Sequence, residues 1–378
     1  MKNSFHAKFV VLLSVFFLIV LVSTCDKSEQ PGLKDVFKDD FYIGVALNED
    51  QFTGRDARAT AVVEKHFNSL TPENCLKWEK VHPAMLEYNF QPADAFVEFG
   101  EERGMFLVGH TLVWHQQTPD WVFEDEAGNP VDKETLLQRL KEHIFTVVGR
   151  YKGRIDGWDV VNEAFEDDGQ LRQSKWLQII GEEYIQKAFE WAHEADPGAE
   201  LYYNDYNMWY PGKRDAVVRL VRYLQSKGVP IHGIGLQGHW GLDYPPLDEL
   251  EAAMTAYARL GLPMIITEMD MDILPLPAQN TGADISLNYE LLRELNPYPE
   301  VLPDSMQVVQ SNRYAEFFRI FSKHSDQISR VTLWGIHDGQ SWRNNWPVRG
   351  RSAYPLLFDD NYQPKPALDA IIKTAGGE

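Results

Sequence analysis

Cysteine is nearly absent: the 378 residues hold two, Cys25 and Cys75. Two thiols cannot build a zinc or iron–sulfur centre, and no His/Cys spacing accompanies them. No metal and no cofactor is therefore expected. Positive charge is scarce as well, with 36 Lys and Arg against 56 Asp and Glu, a net charge of −20. Such a surface repels phosphate backbones and anionic bilayers, which argues against nucleic-acid binding and against electrostatic membrane attachment. No Ser/Gly-rich linker, charge block or low-complexity tract interrupts residues 33–376, so nothing divides that length into separate domains. Long apolar runs are missing apart from Phe9–Thr24. That run falls short of the roughly 20 residues of a membrane span.

The apolar run follows Lys2 and Lys8 and ends in small residues, the layout of a secretory signal. Its end, Val22-Ser23-Thr24-Cys25, resembles a bacterial lipobox, with Thr24 where Gly, Ala or Ser is usual. The expected division is a signal peptide over 1–24, a lipidated tether over 25–35 and one domain over 36–376. Ordinary cleavage nearby and an uncleaved anchor are the alternatives. The expected location is the cell envelope, on the periplasmic or outer face, or the medium. Acylation of Cys25 leaves Cys75 alone and rules out an internal disulfide.

Tryptophan is abundant, at 11 residues beside 16 Tyr and 20 Phe. Each indole N–H needs a partner when buried, so core packing rarely calls for so many. An acidic, Trp-rich chain suits a neutral ligand with flat apolar faces and many hydroxyls, such as a sugar. An unusually aromatic core would give the same composition.

Eight β-type runs alternate with helical stretches. The runs are Phe41–Ala46, Phe67–Thr71, Phe106–Trp114, Ile155–Asn162, Leu201–Asn207, Ile231–Gly238, Met264–Met269 and Val331–Ile336. Helical patterns include Leu136–Arg150, Trp176–Ala195, Lys213–Lys227, Leu247–Leu260 and Asn312–Lys323. Eight β-then-α units in one uninterrupted chain predict a single (β/α)8 TIM barrel of the α/β class. Nearly every predicted strand begins apolar and ends polar: His110 to His115, Asn162-Glu163, Asn204 to Asn207, Gln237 to His239, Glu268 to Asp270. In a barrel those ends converge on one face, where active sites sit.

Glu163 closes the fourth predicted strand and Glu268 the seventh. Two carboxyls facing each other across a sugar are the minimum apparatus for glycoside hydrolysis, one protonated and one ionised. Asn162 can donate to a sugar hydroxyl, and His239 and Asp270 fall near Glu268 and could hold it ionised. A salt-bridge role is the alternative for either glutamate alone.

The segments Asn68–Lys77, Gly109–His115, Trp158–Glu163, Tyr203–Tyr206, Gly235–His239, Ile265–Asp270 and Leu333–Asp338 with Trp342 resemble glycoside hydrolase family 10, the endo-β-1,4-xylanases, in the family's order. The resemblance covers about residues 36–375. It implies a retaining mechanism on xylan and xylo-oligosaccharides, with Glu163 as acid/base, Glu268 as nucleophile, and His239 and Asp270 supporting the nucleophile. A general-acid role is the competing reading of His239. Retention implies carboxyl groups about 5–5.5 Å apart. The resemblance further places Glu73, Asn74 and Lys77 at the glycone subsites, and His110, Trp114, Gln117 and Gln237 on the sugar beside the cleaved bond. Asn204 and Tyr206 fall near the acid/base on the aglycone side, and Trp334 and Trp342 over the catalytic subsites. Barrel packing is the plainer reading of Trp114, and a solvated lysine that of Lys77. A monomer is expected.

The Pro-rich stretch Asp272–Met306 follows the nucleophile strand and is expected to be a rim loop shaping the aglycone side. Trp121 with Phe123, and Trp209 with Tyr210, are either further stacking surfaces or packing. Two other functions remain open on sequence: a glucan-cleaving relative, and a surface lipoprotein that binds glycans without cleaving them.

Overall fold

The computed structural model describes residues 30–276 and 285–375. The proposed signal peptide and Cys25 lie outside the described residues.

Among the described residues, nine strands form: β1 (Tyr42–Leu47), β2 (Ser69–Pro72), β3 (Phe106–Val113), β4 (Gly157–Asn162), β5 (Glu200–Asp205), β6 (Gly233–Leu236), β7 (His239–Gly241), β8 (Met264–Asp272) and β9 (Ile328–Leu333). All pairings between them are parallel. β1 to β6 are neighbours in order; β6 pairs with β8, β8 with β9, and β9 with β1. Eight strands thus close a barrel, and a helix follows each of them, as the expected fold requires. The strands are buried almost throughout, so they read in sequence as continuous apolar runs.

The helices bury one stripe each. In Glu183–Ala195 the buried residues are Tyr184, Ile185, Ala188, Phe189, Ala192 and Ala195, a 3.6-residue repeat against the barrel. Helix Lys133–Arg150 opens on Asp132, whose carboxylate accepts from the Thr135 N–H at 2.8 Å. Such a cap contributes about 1 kcal/mol.

Four details differ from the sequence reading. The stretch Trp176–Ala195 is two helices, Lys175–Ile180 and Glu183–Ala195. Gly181 stops the first at φ +88°, a conformation that side-chain-bearing residues resist. Helix Asp304–Lys323 starts eight residues before the predicted Asn312, directly after Pro303, so the rim stretch ends in helix. Leu33, placed with the tether, opens a short helix (Leu33–Val36) and is fully buried. Phe37 behind it stacks on Phe41 and packs at a tilt against Phe318, so apolar packing begins before residue 36.

The fourth difference matters for the site. β7 lies just beyond the sixth predicted strand, which ends at Gly238, and is an additional short strand. Gly238, at φ +82°, turns the chain after β6, and β7 then pairs with the outer end of β8. The register sets His239 opposite Asp270 and Gly241 opposite Asp272.

Candidate active site

A cleft of about 330 Å³ opens at the C-terminal ends of the strands. Glu73, Asn74 and Lys77 after β2, His110, Trp114 and Gln117 from β3 and its loop, and Asn162 with Glu163 at the end of β4 line one part of it. Gln237, His239, Glu268, Trp334 and Trp342 line the rest. Most residues expected at the site therefore meet in one cavity, although they come from seven strands and their loops.

Glu163 adopts φ +58°, a left-handed backbone that is uncommon for any residue with a side chain. Backbone strain of this kind clusters at functional sites. Its carboxyl is buried and hydrogen-bonded on both oxygens. Gln237 Nε2 donates to Oε1 at 2.9 Å, and Trp114 Nε1 donates to Oε2 at 2.8 Å. Asn162 Nδ2 adds a longer bond to Oε1 at 3.4 Å. Burial, joined by the charge of Asp205, pushes the carboxyl up to about 7 against the donors Gln237 and Trp114.

Glu268 is equally buried and is biased the other way. Asn204 Nδ2 donates to Oε1 at 2.7 Å, and His239 Nε2 lies 3.3 Å from Oε2. Burial alone would raise its pKa. The hydrogen bond from His239, the charges of His110 and His239, and Asn204 outweigh it and hold the carboxyl below its usual value. His239 is itself raised to about 9. Burial opposes its charge, but Asp270, at 2.8 Å from Nδ1, and Glu268 favour it. An imidazolium therefore stands between two carboxylates at neutral pH. The two glutamates are thus split into an acid and an ion, the division that sugar-bond cleavage needs.

The two carboxyls are linked through amides. Asn204 Nδ2 donates to Asn162 Oδ1 at 3.0 Å as well as to Glu268, and Thr267 Oγ1 donates to Asn204 Oδ1 at 2.7 Å. Asn204 is fully buried by these partners and stands behind the cleft wall, where it orients the nucleophile candidate instead of facing a ligand. Tyr206 also lies outside the cleft lining. Its hydroxyl accepts from Arg172 Nη2 at 2.8 Å, and the Lys213 ammonium sits 3.9 Å from its ring centre. Asp270 is behind the wall, as a supporting residue should be.

At the other end, Lys77 Nζ donates to Asn74 Oδ1 at 3.1 Å and to Gln117 Oε1 at 2.9 Å, and lies 5.0 Å from the Trp114 ring centre. It is a buried lysine. Burial lowers its pKa against the opposing pull of Glu73 and Glu268. His110 Nδ1 is 2.9 Å from Asp159 Oδ2, which fixes its ring edge-on to Trp334. Trp114 is therefore not mere packing, since its N–H is spent on Glu163. Trp121 bonds the Pro83 carbonyl and Phe123 packs against Trp176, while Trp209 and Tyr210 stack on each other; none of the four lines the cleft.

Sequence reasoning missed Ile285 and Arg343. Ile285, in the rim stretch, joins the cleft lining, a position that only the fold could reveal. Arg343 follows Trp342 and is buried against Asp270, and nothing in its local sequence marks a buried cation. His115, left out of the expected site, lies 4.0 Å from Glu163.

The profile described as glycosyl hydrolase family 10 matches residues 32–374. Endo-1,4-beta-xylanase A of Xylanibacter ruminicola is 46% identical over 94% of this chain and 96% of its own. A beta-1,4-xylanase of Dictyoglomus thermophilum is 45% identical over 96% of this chain and 97% of its own. Among solved structures, an endoxylanase of family 10 from a sugarcane soil metagenome superposes with a TM-score of 0.88 at 46% identity, covering 91% of this chain and all of that one. The chain belongs to glycosyl hydrolase family 10.

Proposed function

We infer that the chain is an endo-1,4-β-xylanase, cleaving internal β-1,4 bonds of xylan by retaining double displacement. The observation that carries the reading is the opposed bias of two buried carboxyls in one cleft, Glu163 protonated and Glu268 ionised. Glu268 attacks the anomeric carbon while Glu163 gives its proton to the departing glycosidic oxygen. Once Glu268 is esterified, its negative charge is gone and Glu163 ionises more readily, so it can take a proton from the incoming water. Asn162 and Gln237 donate beside the reacting sugar, and the Trp334 and Trp342 rings offer flat faces to its C–H surface. Glu73, Asn74 and Lys77 bind the glycone hydroxyls. The test is product analysis with purified residues 26–378 on unbranched and branched xylan, beside cello-oligosaccharides. Mixed xylo-oligomers are expected; release of xylose alone would refute endo action, and comparable rates on cello-oligosaccharides would refute xylan specificity.

The acid role has a pH signature. Glu163 must hold a proton in the free enzyme, and its pKa is raised to about 7. Activity therefore persists below that pH and falls as pH rises through it. The alkaline limb of kcat/KM is expected near pH 7; a profile flat to pH 9 would remove Glu163 from the acid role.

We further propose that the enzyme is exported and anchored through acylated Cys25. Support comes from the basic and apolar N-terminal segment and the Val22–Cys25 sequence. Growing a bacterial expression host on an alkyne-bearing fatty acid is expected to label the wild type and not Cys25→Ala. Equal labelling of both, or of neither, would sink the anchor.

A further inference from the structure

Charged groups continue behind the nucleophile, away from the cleft. Asp270 is fully buried and takes three donors. Arg343 Nε at 2.7 Å joins His239 Nδ1 on Oδ1, while Trp342 Nε1 donates to Oδ2 at 2.7 Å. Arg343 is itself fully buried and reaches a second carboxylate, with Nη1 2.5 Å from Asp272 Oδ2. Tyr244 Oη donates to that same oxygen at 2.6 Å, and Arg351 Nη2 lies 3.9 Å from Oδ1. Arg351 then donates through Nη1 to the carbonyls of Pro275 and Leu295 in the rim stretch, at 3.0 and 3.3 Å. From the cleft outward, Glu268, His239, Asp270, Arg343, Asp272 and Arg351 alternate in sign.

Stability alone is a weak reason for such a row. Desolvating buried ions costs several kcal/mol each, and apolar replacements of a buried pair are often neutral or stabilising. Specific geometry is the stronger reason, because a guanidinium can grip two carboxylates at once in a fixed plane. Here one of the two gripped groups carries both the nucleophile's histidine and a cleft-wall indole. The Arg343 guanidinium also lies 4.9 Å from the Trp342 ring centre and 5.5 Å from that of Trp346, which stacks on Trp342.

We propose that Arg343 is a positioning residue for the nucleophile. By clamping Asp270 and Asp272 together it fixes His239 against Glu268 and Trp342 against the cleft, and ties both to the rim stretch after β8. The proposal rests on the reading of Glu268 as nucleophile.

Its electrostatic consequence has a definite sign. Other charged groups near Glu268 are Lys77, His110 with Asp159 behind it, and Glu163; beside Asp270 and Asp272 the remaining titratable groups are Tyr244 and Tyr314. None of these can replace the Arg343 charge between the two aspartates. Removing that charge leaves Asp270 with His239 and Asp272 with Arg351 as their remaining cations, and makes ionised Glu268 harder to keep. The acid limb of kcat/KM, set by the nucleophile, then moves to higher pH. Removing the charge of Asp272 instead moves it to lower pH.

The experiment measures pH profiles with a nitrophenyl β-xylobioside for wild type, Arg343→Gln, Arg343→Lys and Asp272→Asn. Arg343→Gln is expected to shift the acid limb up by about 0.5–1 unit and to lower kcat roughly 10- to 100-fold. A rise in KM should accompany it as Trp342 loses its anchor. Arg343→Lys retains the charge without the fork, so its limb stays near that of wild type while kcat falls several-fold. Asp272→Asn shifts the limb down by a few tenths of a unit. General damage to the fold would lower rates without moving the limb in opposite directions. Should Arg343→Gln fail to fold, the downward shift in Asp272→Asn decides, and an unmoved limb there overturns the proposal. An active wild type with unmoved limbs in both variants overturns the role of Arg343 alone. A wild type without turnover overturns the xylanase reading itself, and this role with it.

Discussion

Glu268→Ala is expected to lower kcat on xylan by at least about four powers of ten while leaving oligosaccharide affinity largely intact. The residue does not act as a binding group, because its two oxygens are already engaged by Asn204 and His239. What the substitution removes is the ionised carboxylate proposed to attack the anomeric carbon. The space left by the side chain is flanked by the donors of Asn204 and His239, so a small anion such as azide or formate can enter it. Added azide should restore part of the turnover of an activated aryl xylobioside. The sugar azide so formed should carry the configuration opposite to the substrate, since attack comes from the nucleophile's face and no second displacement follows. Product of unchanged configuration would assign the nucleophile elsewhere. Folding should survive, because the variant also relieves the burial of a charge, and removal of such groups from active sites commonly leaves stability unchanged or raised. His239 retains Asp270 as its partner at 2.8 Å.

The same two residues show how far the sequence could be read and where it stopped. Glu163 and Glu268 were legible because each follows a buried apolar run of a parallel strand, Glu163 directly after β4 and Glu268 midway along β8, which continues to Asp272. A carboxylate after an apolar run is conspicuous, and the barrel brings all such ends to one face. The strands themselves were legible for the same reason. Asn204 was placed at the right strand end and beside Glu163, whose N–H donates to its carbonyl at 2.9 Å, but the turn of its side chain to Glu268 was not legible. Successive side chains on a strand point to opposite sides, and no local signal says which neighbour each side meets. Asn204 turns to Glu268, and Asp205 turns to Lys213, with Oδ1 3.0 Å from Nζ. β7 escaped notice because three residues carry no period. Its consequence, His239 across from Asp270, depends on the turn at Gly238. Arg343 was out of reach for a further reason. Its partners Asp270 and Asp272 lie some seventy residues earlier in the chain, and a cation without its partners reads as surface.

Glu163→Ala is expected to divide substrates by their leaving groups. Xylan departs as a poor leaving group and needs the proton that Glu163 supplies, so kcat/KM on xylan should fall roughly a thousand-fold or more. An aryl xylobioside whose phenol leaves unaided should form the covalent intermediate at close to the wild-type rate, because Glu268 and its partners are untouched. Hydrolysis of that intermediate also needs Glu163, now as base, and should become the slow step. The intermediate then accumulates, a burst of phenol precedes slow turnover, and the apparent KM drops. Azide needs no base to attack. It should accelerate turnover and give a sugar azide of retained configuration, the opposite of the product from Glu268→Ala. The alkaline limb near pH 7 should vanish as well, since the group whose pKa is raised to about 7 is gone. The structural cost is small: Trp114 Nε1 and Gln237 Nε2 lose their acceptor but face a cleft that water can enter. Equal losses on xylan and on the activated substrate, with the alkaline limb still in place, would show that Glu163 is not the acid/base and that another titratable group, such as His115 at 4.0 Å from Glu163, holds the proton.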